Sequence, residues 1–169
     1  MTGHCPPCCT IPADMESVNR TLRSMFLLTS IGWATILPLT TWVASRAHAP
    51  APMYAAAAAV YGLGALICHQ LRARSFHLWT SQMPVCARCL GIYVGAAIAS
   101  LIATAWTTRD APRVTRVAIL AAVTPAALTL VYEWWSGQMP ANWIRAVSGV
   151  PIGAMVTALV VAATGDQVN

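Results

Sequence analysis

The 169-residue chain has no lysine, only five acidic residues and two phenylalanines, and just 9% of its residues are charged. Ordinary soluble domains carry roughly 25% charged residues. A globule this small cannot cover its surface with so few, which argues against a soluble monomer. An apolar fraction of 57% also excludes a disordered chain. The formal net charge of +5 comes from ten arginines against five acidic residues. Those arginines are scattered rather than gathered on one stripe, so no nucleic-acid partner is expected. No phosphate-cradling glycine loop and no hydrolase nucleophile motif is present. What remains is an integral membrane protein with small loops, its first partner the lipid bilayer.

Five apolar stretches approach the roughly 20 residues that a helix needs to cross a bilayer. They are Met25–Ala44, Pro52–Cys68, Cys89–Trp106, Val117–Trp135 and Ala146–Ala163. The runs are unbroken rather than alternating, which disfavours strands. The expected fold is all-α, a polytopic bundle of about five transmembrane helices. Residues 1–24 read as a flexible cysteine-containing tail, 25–164 as the helical domain and 165–169 as a short C-terminal tail. Ala47-His48-Ala49 resembles a small-x-small cleavage site. The apolar run before it exceeds the usual h-region of about 7–15 residues, so it reads as a retained anchor.

Five crossings place the termini on opposite sides. Arg20, Arg23, Arg72, Arg74, Arg88 and Arg145 then share the N-terminal side, against Arg46, Arg109, Arg113 and Arg116 on the other. That bias favours a cytoplasmic N-terminus in the cell (inner) membrane. Gly91/Gly95 and Gly149/Gly153 form flat strips at four-residue spacing. Such strips suit helix packing inside the bundle or a homo-oligomer contact.

Cysteine use is the most informative feature. Cys5, Cys8, Cys9, Cys68, Cys86 and Cys89 all map to one side of a five-span bundle, as do His4, His69 and His77. Cys86 and Cys89 open the third span three residues apart, so they share a helix face. The helix N-terminus and Arg88 both favour a thiolate there. Cys68, Cys86 and Cys89 with His69 or His77 would make a three-sulfur, one-nitrogen tetrahedral shell. Zinc suits it best, with Fe²⁺ and Cu⁺ as soft alternatives. A redox Cys-x-x-Cys with Cys68 as exchange partner, linked to a quinone, is the competing reading. So is a set of buried thiols without chemistry. In the tail, His4, Cys5, Cys8 and Cys9 can chelate a soft ion without a folded domain and pass it on.

Polar residues surround this group: Gln70, Arg72, Arg74, Arg88, Glu133, Asn142 and Arg145. Arg72 and Arg74 suit an anionic headgroup, a phosphate or a quinone oxygen, or plain interfacial anchoring. Glu133 is the one carboxylate within a span, and Arg145 is its expected partner. The pair reads either as a proton or ion relay or as an interfacial salt bridge. Hydroxyls dominate the remaining polar groups in the spans, and these can bond back to their own helix. A wide aqueous pathway is therefore disfavoured, and a metal-stabilised scaffold is preferred to an ion carrier. No catalytic residue can be assigned from the sequence.

Cys68-His69-Gln70, Arg74-Ser75-Phe76, and Cys86-Ala87-Arg88-Cys89 followed by Gly91-Ile92-Tyr93-Val94-Gly95 resemble the bacterial and archaeal membrane proteins grouped as DUF2085. Asn142, Arg145, Gly149 and Gly153 are similar to that family's second, looser motif. The resemblance covers roughly residues 60 to 155. Leu90 stands where the family often has Thr, and Glu133 where an Asp-Gly is common. The resemblance implies a small polytopic membrane protein and no particular activity.

Overall fold

The computed structural model describes residues 13–105 and 114–165. Five helices and one small hairpin follow in the order α1 (Ala13–Ala44), α2 (Ala51–Ile67), β1 (Ser75–Leu78), β2 (Ser81–Cys86), α3 (Ala87–Ala105), α4 (Arg116–Ser136) and α5 (Asn142–Gly165). A single 3₁₀ turn, Arg72–Arg74, precedes β1. The all-helical expectation holds, with the hairpin as a minor addition. Four helices are long and apolar enough to cross a membrane; α2, with 17 residues, is the shorter one. The first helix begins at Ala13, twelve residues before Met25, so part of the segment expected as tail is helical.

The core is a seam between α3 and α5, and the glycine strips make it. A Cβ added at Gly91 would lie 1.9 Å from the Ala146 carbonyl oxygen, and one at Gly95 2.1 Å from that of Val150. From the other side, a Cβ at Gly153 would meet the Ile92 oxygen at 1.8 Å, and one at Gly149 the Arg88 oxygen at 2.5 Å. The two backbones touch where side chains would otherwise hold them apart. All four glycines are therefore covered within one chain, and an oligomer would have to use another face. The pairing also shows that α3 and α5 run parallel. Buried Thr157 ties them further by donating to the Ala96 carbonyl at 3.2 Å.

Helix α1 runs against this pair. Trp33 stacks edge-on against Tyr93 near the start of α3, at 6.1 Å between centroids. Leu27 instead clusters with Ala103 and Val161, near the far ends of α3 and α5, and Arg23 Nη2 donates to the Ala103 carbonyl at 3.4 Å. The start of α1 therefore lies with the C-terminal ends of α3 and α5. This corrects the five-crossing arrangement, in which α1 and α3 would be parallel with the termini on opposite sides. The physical reason is α2, which is short and leads into a hairpin that packs back on the bundle. Between α1 and α3 the chain reverses once in net.

The hairpin was not expected. Ser75 pairs with Cys86, His77 with Gln82 and Leu78 with Ser81, with a bulge between Ser75 and His77. Its two-residue turn, Trp79-Thr80, has both residues at positive φ (49° and 72°). That is the backbone a right-twisted hairpin requires, here made without glycine or asparagine. Met83 and Val85 of β2 join Leu37 of α1 and Val60 of α2 in a buried apolar cluster. Gly64 lets the strand come close: a Cβ there would sit 2.4 Å from the Pro84 oxygen.

Span hydroxyls mostly bond to their own helix. Thr29 donates to the Met25 carbonyl (2.6 Å), Thr41 to that of Leu37 (2.9 Å) and Thr124 to that of Leu120 (2.7 Å). These hydroxyls satisfy themselves within their own helices.

Candidate metal centre and its charged surround

Two glutamines build the corner that holds the thiols. Cys68 ends α2 in an extended conformation, its N–H donating to the Gly64 carbonyl at 2.9 Å. Gln70 then turns the chain at φ 46°. Its side-chain amide donates to the carbonyls of Tyr61 and Pro84, both at 2.8 Å. Gln82 returns the tie by donating to the Gln70 carbonyl at 2.6 Å. The end of α2 is thus fastened to β2, and β2 runs without a break into α3. Cys68 is held against the junction that carries Cys86 and Cys89.

The Cys86 backbone N–H donates to the Cys68 sulfur at 3.2 Å. The sulfurs of Cys68, Cys86 and Cys89 all lie within 4.8 Å of one another, each half-buried. None of the three is in a disulfide. The Cys86 thiol is pulled down to about 5: the Cys89 thiol donates to it, and backbone N–H groups of Cys89 and Arg88 add to this against the opposing effect of burial. This is the thiolate-stabilising start of a helix. Tyr93, Leu90 and Phe76 pack against the apolar cluster beneath.

A charged network stands at the same end of the bundle. Glu133, in the last turn of α4, takes Arg145 on one oxygen and Arg74 on the other, each at 2.5 Å. Its side chain is 12% exposed, and that of Arg145 only 3%. Arg88 donates to the Thr129 hydroxyl at 3.0 Å, one turn before Glu133. Asn142, opening α5, donates to the Ser75 carbonyl at 3.1 Å and so ties α5 to the hairpin. The expected Glu133–Arg145 pair is present, with Arg74 as a second partner.

The structure thus brings Cys68, Cys86 and Cys89 together, and Arg74, Glu133 and Arg145 likewise. Gln70, Arg88 and Asn142 act as ties. His69 and His77 are exposed and outside the three-sulfur group, and Arg72 is exposed in the 3₁₀ turn. His4, Cys5, Cys8 and Cys9 lie outside the described residues. The helix that follows them starts at the opposite end of the bundle from the sulfur group.

Sequence reasoning gave no site role to Ser75, Gln82 or Thr129. Ser75 is completely buried at the start of β1. Thr129 is four residues before Glu133, on the same face of α4, a spacing that was available to find it.

Residues 68–159 match the family described as "Predicted membrane protein (DUF2085)". An uncharacterized protein of Methanocaldococcus jannaschii is 46% identical over 43 residues, 25% of this chain and 28% of the relative. That alignment spans little more than a quarter of the relative's length. No solved structure matches the chain. The matched stretch runs from the first of the three thiols through the glycine seam and covers more than half of the chain, which belongs to the DUF2085 family of membrane proteins.

Proposed function

We propose that Cys68, Cys86 and Cys89 hold one soft metal ion at one end of the membrane bundle. The observation that carries this is the convergence of three free sulfurs within 4.8 Å. Zn–S bonds of about 2.3 Å put the sulfurs of a tetrahedral site about 3.8 Å apart, so a small contraction suffices. Zinc fits this donor set best, with Cu⁺ and Fe²⁺ as alternatives. The fourth position falls to His69, to His77 or to a non-protein ligand. The ion would join the end of α2 to the start of α3, the joint that Gln70 and Gln82 already tie. A scaffold role is supported by the span hydroxyls, which among the described residues bond mostly to their own helices.

The direction of α1 bears on the compartment. Arg20 and Arg23 adjoin the start of α1, and Arg109, Arg113 and Arg116 join α3 to α4. Arg46, Arg72, Arg74, Arg88 and Arg145 belong to the opposite end. Without the networked Arg74, Arg88 and Arg145 the balance is five against two. This supports a cytoplasmic start of α1 in the cell membrane, with the sulfur group on the outer face. Oxidation would pair unprotected thiols there, which a bound ion prevents.

A second reading draws on the lowered Cys86 thiol and its hydrogen bond from Cys89: a thiol oxidoreductase. Oxidising the two thiols to a Cys86–Cys89 disulfide would pass two electrons and two protons to a quinone, giving the quinol. Anaerobic purification in detergent followed by elemental analysis separates the two. About one ion per chain, lost in Cys68→Ser and Cys86→Ser, supports the metal site. No ion and a Cys86–Cys89 disulfide in the native chain overturns it in favour of thiol redox chemistry.

A further inference from the structure

The charges around Glu133 are placed against their helices. Arg88 is the second residue of α3, and Arg145 lies in the first turn of α5. Unsatisfied N–H groups make a helix start positive, so cations are disfavoured there. Glu133 stands in the last turn of α4, where the carbonyl end disfavours an anion. Local helix stability therefore does not explain these residues.

The balance is also uneven. Three guanidinium groups, those of Arg74, Arg88 and Arg145, surround one paired carboxylate, leaving two positive charges in excess. Among the described residues, the Arg88 side chain bonds to one neutral hydroxyl, that of Thr129. The Nε atoms of Arg88 and of Arg145 are buried and make no hydrogen bond among the described residues. Arg145 is almost completely buried, and unsatisfied charged donors at such depth are costly. Arg74, with 40% of its side chain exposed, leaves the group open to the outside.

We propose that Arg74, Arg88 and Arg145 form a binding site for a phosphate group. An oxyanion of one or two negative charges offsets the excess that Glu133 leaves. Its several oxygens suit planar guanidinium donors, which bind phosphate in a forked manner. The helix starts of α3 and α5 add favourable potential. Exposed Trp79, Trp134, Trp135 and Trp143 stand on the segments around this end. Such aromatics mark the membrane–water interface, the depth at which lipid phosphates lie. Both a lipid headgroup and a free phosphate offer the required chemistry. Among the described residues, no side chain of these three arginines is hydrogen-bonded to Cys68, Cys86 or Cys89.

The test is native mass spectrometry of the full chain, purified in detergent and stripped of lipid. Inorganic phosphate and dioleoyl phosphatidylglycerol are titrated separately. At least one of them should bind saturably at about one per chain, weakened at least about tenfold in Arg74→Gln and in Arg88→Gln. Circular dichroism confirms that each variant is folded. Arg116→Gln, an exposed arginine at the other end of the bundle, should bind as the native chain does. Preference for phosphatidylglycerol identifies a headgroup site, and preference for inorganic phosphate a soluble ligand. No saturable binding of either by the native chain overturns the proposal, even if neither variant folds. Undiminished binding by the folded variants also overturns it.

Discussion

The two ends of the bundle are built from different materials. At the end where α1 starts, Leu27, Ala103 and Val161 form a small apolar cluster with Phe26. At the other end stand three thiols, a network of three arginines around a carboxylate, and a set of amide ties. The glycine seam of α3 and α5 connects them and needs neither. Among the described residues the end where α1 starts closes on apolar side chains and one Arg23 hydrogen bond, so the polar content of the other end is more than a lid. Groups costly to bury in or near a membrane have been gathered where the helices are already held by the seam.

The seam itself should give the largest effect. Gly153→Leu places a side chain where even a Cβ meets the Ile92 carbonyl at 1.8 Å. Because backbone rather than a flexible side chain is struck, the loss should exceed the ordinary 1–3 kcal/mol of overpacking, here about 3 kcal/mol or more. Folded yield in detergent should collapse. A variant folded to normal yield would show that α3 and α5 do not meet as described.

Arg145→Gln comes next. It removes one partner of a buried ion pair and should cost about 3–5 kcal/mol by denaturant unfolding. Leu27→Ala at the apolar end should cost about 2–3 kcal/mol. A charged-end variant no more damaging than Leu27→Ala would erase the contrast between the two ends.

A third effect concerns reactivity. In the reduced, metal-free chain, the Cys86 thiol sits at about 5. Its thiolate therefore survives as pH falls through the ordinary thiol range near 8.5 and is lost only around 5. Iodoacetamide labelling of Cys86, read by peptide mass spectrometry, should keep its rate down to about pH 6. A rate that falls away near pH 8.5 would show that Cys89 and the helix start do not hold the thiolate.

Gly62→Ala should give the smallest effect, within about 0.5 to 1 kcal/mol and towards greater stability, since alanine is the better helix former. Nothing lies within 4 Å of a Cβ there. Set beside Gly153→Leu, it separates glycines that the packing requires from those it merely tolerates.

Much of this was legible in the sequence. The expected spans Val117–Trp135 and Ala146–Ala163 fall inside α4 and α5, because unbroken apolar runs leave a helix as the only way to satisfy the backbone in lipid. The grouping of Cys68, Cys86 and Cys89 was visible because a short connection joins two helix ends. The direction of α1 was not, since it turns on whether the 17 residues of α2 complete a crossing. The hairpin escaped because Trp79-Thr80 adopts its turn without the usual Asn-Gly signal, and Pro84 argues against a strand. The exposure of His69 and His77 depends on that hairpin and was equally out of reach.

X-ray absorption at the metal edge of the purified chain tests the central claim most directly. For zinc, three sulfur neighbours at about 2.3 Å and one lighter neighbour are predicted. A shell of nitrogen and oxygen alone would contradict a centre made by Cys68, Cys86 and Cys89.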